Sequence, residues 1–86
     1  MKNTIFKSRE FLQAFDLITS KGIKSGGKYQ YKGIDAWHDY DGYTCWLSYK
    51  DLTITLLFHG KLGVQFDDSN TLNEFYKKIN ILITLE

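Results

Sequence analysis

Apolar residues recur along this chain with two different periods. Near the N-terminus, Phe11, Leu12, Phe15 and Ile18 fall on one stripe of a 3.6-residue repeat, with Arg9, Gln13, Asp16 and Lys21 outside it. That spacing predicts an amphipathic helix over residues 5–21. Asn3, Thr4 and Ser8 each offer an N-cap oxygen, Gly22 supplies a stop, and Ser25-Gly26-Gly27 reads as a loop. From Tyr29 to Phe66 the period falls to two, which predicts strands over 28–33, 36–40, 43–49, 52–58 and 62–66. Tyr43, Cys45, Leu47 and Tyr49 share one face, as do Leu52, Ile54, Leu56 and Phe58. These sets are more apolar than their opposites and are assigned to the core.

The helical period returns after Asp67-Asp68-Ser69-Asn70, where Leu72, Phe75, Tyr76, Ile79, Leu82 and Ile83 line one face. Thr71-Leu72-Asn73-Glu74 spells a capping box, Thr71 accepting from the Glu74 amide while Glu74 reaches back. The chain therefore reads as an α+β domain: helix, antiparallel meander of four to five strands, helix. Each helix has a single apolar stripe, so both are expected on the same sheet face of a two-layer sandwich. One core fills residues 1–86, and Leu85-Glu86 resembles the start of a tag.

Turns fix which side chains meet. A type I′ turn at Asp41-Gly42 pairs Tyr40 with Tyr43, His38 with Cys45 and Trp37 with Trp46. A second tight turn at Lys50-Asp51 pairs Cys45 with Leu56 and Trp46 with Thr55. His38, Cys45 and Leu56 then form a row on the helix side, and Trp37, Trp46 and Thr55 a row on the open side. The last hairpin poses a choice. A two-residue Gly60-Lys61 loop sends Leu62, Val64 and Phe66 to the open face, whereas a longer or bulged loop including His59 brings them onto the core face. The longer loop is preferred, because burying a large apolar side chain is worth roughly 1.5–3 kcal/mol.

Composition narrows the class. An apolar share of 43% and an aromatic share of 16% suit a folded domain rather than a disordered one. The single cysteine forbids an internal disulfide and a cysteine zinc cage. No apolar leader follows Met1 and no 18-residue apolar run exists, so a cytoplasmic protein with no membrane partner is expected. Net charge is +1 but uneven. Residues 1–32 carry seven Lys/Arg and two acids (+5), while residues 33–86 carry four Lys and eight acids (−4). A bipolar surface can orient a partner, although a solvated helix and a basic loop explain the same numbers.

Candidate chemistry concentrates around Trp37-His38-Asp39-Tyr40-Asp41 and Cys45-Trp46. His38 beside Cys45 pairs an imidazole with a thiol, but no third residue orients the histidine and Cys45 sits mid-strand; a buried thiol is the simpler explanation. A metal site from His38, Asp39, Asp41 and Asp35 lacks ligands, since Asp39 points away from His38 and Asp41 belongs to the turn. Gly22-Ile23-Lys24-Ser25-Gly26-Gly27-Lys28-Tyr29 nearly spells a phosphate loop, yet Tyr29 replaces the required hydroxyl and the loop runs from helix to strand. No catalytic residue, cofactor or metal is assigned.

Helix, three strands, helix is also the outline of double-stranded-RNA-binding domains. Those carry lysines where this chain has Asp67-Asp68-Ser69-Asn70, so nucleic acid ranks last among the partners. Taken together, Ala36-Trp37-His38-Asp39, Asp41-Gly42-Tyr43-Thr44 and Leu56-Leu57-Phe58-His59-Gly60-Lys61 resemble a small gammaproteobacterial family of about this length, a domain of unknown function. The resemblance runs from the first helix to Phe75 and implies a single cytoplasmic bacterial domain. That family has no assigned activity, so it adds no catalytic residue.

The first reading is accordingly a non-enzymatic interaction module, binding a protein partner or a second copy through the open face around Trp37, Trp46 and Leu57. The alternative is a ligand- or metal-responsive site at the 37–41 hairpin, formed by His38, Asp39, Cys45 and His59.

Overall fold

The computed structural model describes residues 7–57 and 60–85. The chain runs α1 (Ser8–Lys21), β1 (Ile23–Ser25), β2 (Lys28–Tyr31), β3 (Ile34–His38), β4 (Cys45–Tyr49), β5 (Leu52–Leu56), β6 (Leu62–Gln65) and α2 (Ser69–Leu85). The strands form one six-stranded antiparallel meander in sequence order. This is the expected α+β plan with one correction, six strands instead of four or five. The extra strand, β1, lies in the stretch read as a loop. Gly26 and Gly27 have φ of 60° and 83°, which places the glycine pair in a two-residue turn that folds β1 onto β2.

Both helices cover one sheet face. Phe11, Ala14 and Ile18 of α1 and Phe75 and Ile79 of α2 share a core with Ile34, Ala36, Leu47, Leu52, Ile54 and Leu56. The buried strand positions alternate as the pleat requires, Ile34/Ala36 on β3 and Leu52/Ile54/Leu56 on β5. α1 lies over β2 and β3 and touches α2.

The register of the central strands is the one the turns predict: Trp37 opposite Trp46, His38 opposite Cys45, Cys45 opposite Leu56 and Trp46 opposite Thr55. The β3–β4 turn itself differs. Pairing stops at His38–Cys45, the Asp39 amide donates to the Thr44 carbonyl at 3.0 Å, and the Gly42 amide donates to the Asp39 carbonyl at 3.1 Å. Only Gly42 of the Asp41-Gly42 pair has positive φ (79°). The connection is thus a wider loop closed by Asp39 and Thr44, and Tyr40 and Tyr43, both largely exposed, lie beyond the ladder, which ends at His38–Cys45. Both loops share one centre, so the register survives the change of turn.

At the β5–β6 hairpin, Leu56 faces Leu62 and Ile54 faces Val64. The longer loop is therefore present, and Leu62 and Val64 lie on the helix side; Phe58 and His59 lie outside the described residues. The expected burial is only partial, however. Leu62 packs against the core, but Val64 and Phe66 remain 40% and 41% exposed because β6 is the last strand of the sheet.

The start of α2 is also built differently from the capping box. Asp68 caps it, its Oδ1 accepting from the Asn70 amide at 2.9 Å, while Thr71 is buried one turn into the helix. Glu74 turns away to Lys50 (2.8 Å) and to the Tyr49 hydroxyl (3.3 Å). Asp51, in the β4–β5 turn, reaches the same helix start. Its Oδ2 accepts from the amides of Asp67 and Asp68, each at 2.8 Å. The Thr71 hydroxyl, then those two amides, hold the Asp51 carboxyl down at about 2. A depressed carboxylate contributes stability above its unfolded pKa of about 3.9 and loses it as pH falls through the folded value. Thermal scans of wild type should thus show stability dropping between about pH 4 and pH 2. Asp51→Asn should lower the melting temperature at pH 7 and flatten that acid limb; an unchanged limb would show that the carboxylate does not anchor α2.

Candidate functional site

The open face of the sheet is where the two tryptophans lie. Trp37 and Trp46 are directly opposed on β3 and β4, and their rings stack with centroids 5.7 Å apart and planes 12° from parallel. Each is half-buried. The Lys28 Nζ sits 4.3 Å from the Trp37 ring centroid, within cation–π range. The register continues on either side. Ser25 faces Lys28 on β1–β2, Trp46 faces Thr55 on β4–β5, and Thr55 faces Gly63 on β5–β6. One row thus crosses the sheet as Ser25, Lys28, Trp37, Trp46, Thr55 and Gly63. The flanking row runs Ile23, Gln30, Asp35, Ser48, Thr53 and Gln65, polar except for the exposed Ile23 at its β1 end. No helix of the described residues covers this face, since both pack on the other.

Leu57, grouped with the tryptophans from sequence, lies just beyond the end of β5 and is 37% exposed. It lines a hollow at the α1 end of the sheet, together with Leu12, Gly42, Tyr43, Cys45 and Leu56. That hollow measures about 310 Å³ and is mostly apolar. Sequence reasoning missed it. The helical repeat puts Leu12 on the apolar stripe of α1, yet it is 52% exposed at the rim. The signal available was that Leu12 sits one position off the Phe11–Phe15–Ile18 line.

The alternative site residues come together only in part. His38 and Cys45 are opposed, as the hairpin register requires. His38 is exposed, with Nδ1 2.8 Å from the Asp39 carbonyl and its ring 6.5 Å from that of Phe15. Burial, and secondarily the Asp39 charge, pushes the Cys45 thiol up from its ordinary value. Both effects disfavour the thiolate, which is the reactive form. The Asp39 carboxylate is engaged by the Thr44 amide at 3.3 Å. His59 lies outside the described residues. Among the described residues, no three His, Cys, Asp or Glu side chains group as a metal site. Modification of Cys45 by a neutral disulfide reagent at pH 7 should run at least about tenfold slower in the native protein than in the urea-unfolded chain. Equal rates would show a freely ionising thiol.

Residues 6–86 match the model of a family described as a protein of unknown function, DUF3081. The chain belongs to the DUF3081 family. Searches of curated proteins and of solved structures returned no match. Family membership brings no substrate, cofactor or residue role to the DUF3081 chain, so any functional reading rests on its own surface. No helix among the described residues is long and apolar enough to cross a membrane.

Proposed function

We propose that this DUF3081 domain is a non-enzymatic protein-interaction module that binds through the open sheet face centred on Trp37 and Trp46. The observation that carries the reading is the stacked tryptophan pair, partly exposed on a face that no helix of the described residues covers. Two indoles held rigid by cross-strand stacking offer a large contact area whose ordering is already complete before binding. Lys28 over Trp37 and the surrounding Ser, Thr and Gln positions give a polar rim able to donate and accept hydrogen bonds.

The test is affinity capture with paired baits. Trp46→Lys should keep the far-ultraviolet circular dichroism of wild type, because the residue faces away from the core, yet lose the bound protein. A Gln13→Lys bait, altered on the far side of α1, should retain it. Retention by all three baits, or by none, would end this reading.

The hollow at the α1 end supports a second reading, a small apolar ligand seated against Leu12, Tyr43, Cys45 and Leu57. Saturable chemical-shift changes confined to those residues on titrating a fatty acid or an aromatic fragment would favour it. Their absence would remove it.

A further inference from the structure

The two sheet edges are unlike each other. β1 is three residues long with Lys24 at its centre, the kind of edge that resists pairing. β6 reads Leu-Gly-Val-Gln, continues into Phe66, and has no charge or proline between Lys61 and Asp67. Val64, on the helix side opposite Ile54, and Phe66 just beyond the strand are 40% and 41% exposed.

Backbone alternation shows what this edge offers. The Leu57 amide donates to the Lys61 carbonyl at 2.9 Å, so Leu57–Lys61 is a hydrogen-bonded pair of the β5–β6 hairpin. Such pairs alternate along an antiparallel ladder. Leu56–Leu62 and Ile54–Val64 are therefore the non-bonded pairs, and the N–H and C=O groups of Leu62 and Val64 point outward from the sheet. Phe66 lies one residue past the end of β6, and carrying the same alternation two residues on from Val64 turns its groups outward as well.

The geometry points to a second copy of this chain as the occupant of that edge, with β6 pairing antiparallel to β6 of the copy about a two-fold axis at Val64. In that register Val64 faces Val64 of the other chain, and Leu62 faces Phe66. Both are pairs whose backbone groups already point outward, which yields six inter-chain hydrogen bonds without disturbing β5. The same register sets Lys61 of each chain opposite Asp67 of the other. These are the charged residues that bracket the strand, and each meets its opposite sign. On the helix side, Leu62, Val64 and Phe66 of the two copies merge into one apolar strip. Pairing one residue closer to either end leaves one of the three outward residues unpaired and separates the charges. The open faces of both copies then lie on the same side, so their tryptophan pairs form one continuous surface. This inference does not depend on what that face binds.

The experiment is sedimentation equilibrium from about 1 μM to about 1 mM, the range of weak symmetric contacts. Wild type should shift from the 10.1 kDa monomer toward twice that mass. Val64→Pro removes an outward N–H and no β5 bond, so it should stay folded and weaken association by at least about tenfold. Lys61→Glu and Asp67→Lys should each weaken self-association, since each brings like charges together. Their equimolar mixture should recover it, because every cross-chain pair is then of opposite sign. A wild type that stays monomeric throughout, a folded Val64→Pro that still dimerises, or a mixture no tighter than its components would each overturn the proposal.

Discussion

Phe75→Ala is expected to leave a chain that is no longer stably folded at physiological temperature. Phe75 is wholly buried on α2, its ring 6.1 Å from that of Tyr49 on β4 and 6.3 Å from that of Tyr76. It also belongs to the cluster that joins both helices to the sheet. Truncating a buried phenylalanine costs about 3–5 kcal/mol, the lost transfer free energy plus the cavity left behind. A chain of this length has a total stability of roughly 4–13 kcal/mol. The loss is therefore of the same order as the whole. The void cannot be refilled cheaply, because other members of that cluster, Phe11, Ile18 and Ile79 among them, are themselves packed and nearly inaccessible. Urea titration followed by circular dichroism should place the Phe75→Ala midpoint at or near zero denaturant. Ile81→Ala, on the same helix but 60% exposed, should stay within about 0.5 kcal/mol of wild type.

Phe75 could be assigned to the core from sequence because periodicity reports burial directly: a stripe at helical spacing has only one way to meet a sheet. Period-two alternation likewise puts Leu47 and Ile54 on one face and the tryptophans on the other, whereas Ile34, which opens β3, falls between the strands expected at 28–33 and 36–40. What periodicity does not carry is the hydrogen bonding of turns and caps. Asp41-Gly42 has the composition of a two-residue turn, yet Asp39 and Thr44 close a wider one around the same centre. Thr71 and Glu74 have the spacing of a capping box, but Asp68 lies closer to the orphan amides and Lys50 claims Glu74 from across the chain. Lys50 and Asp51 are some twenty residues away in sequence, so no local pattern could reveal that contact. β1 was missed for a related reason. Three residues are too few for alternation to register, and their strand character comes from pairing with β2 across two glycines.

The candidate site divides the same way. The Trp37–Trp46 and His38–Cys45 pairs were legible because hairpin register depends only on the turn's centre. The hollow beside Leu12, Tyr43 and Leu57 was not, since it forms where a helix end meets two loops far apart in sequence. The free β6 edge lay between: its uncharged sequence is plain, but which of its backbone groups point outward follows only from the Leu57–Lys61 bond.

Gly22→Ala is the second large effect, and its cause differs from the one a helix-terminating glycine suggests. Gly22 has φ −82° and ψ 172°, an extended backbone that any residue adopts, so no left-handed conformation is at stake. The constraint is space. A Cβ at this position would lie 2.5 Å from the Ile18 carbonyl oxygen and 2.7 Å from the Gln30 carbonyl oxygen. Both obstacles are backbone, one in the last turn of α1 and one in β2, and neither can rotate aside. Relief requires α1 to lift from β2, which strains the Gly22 amide bond to Ile18 (2.8 Å) and opens the packing of Leu17 and Ile18. A cost of about 3 kcal/mol is expected, the upper part of the overpacking range. Two other glycines separate the causes. Gly42→Ala meets nothing within 4 Å but must hold φ near +79°, at a cost of about 1–2 kcal/mol. Gly63→Ala meets nothing and has no positive φ, so it should be neutral or stabilising by up to about 1 kcal/mol. Urea midpoints of the three variants should fall in the order Gly63, Gly42, Gly22, most stable first. If Gly22→Ala proved no worse than Gly42→Ala, α1 and β2 would not approach as closely as their backbones do here, and the junction that sets the helix layer on the sheet would have to be redrawn.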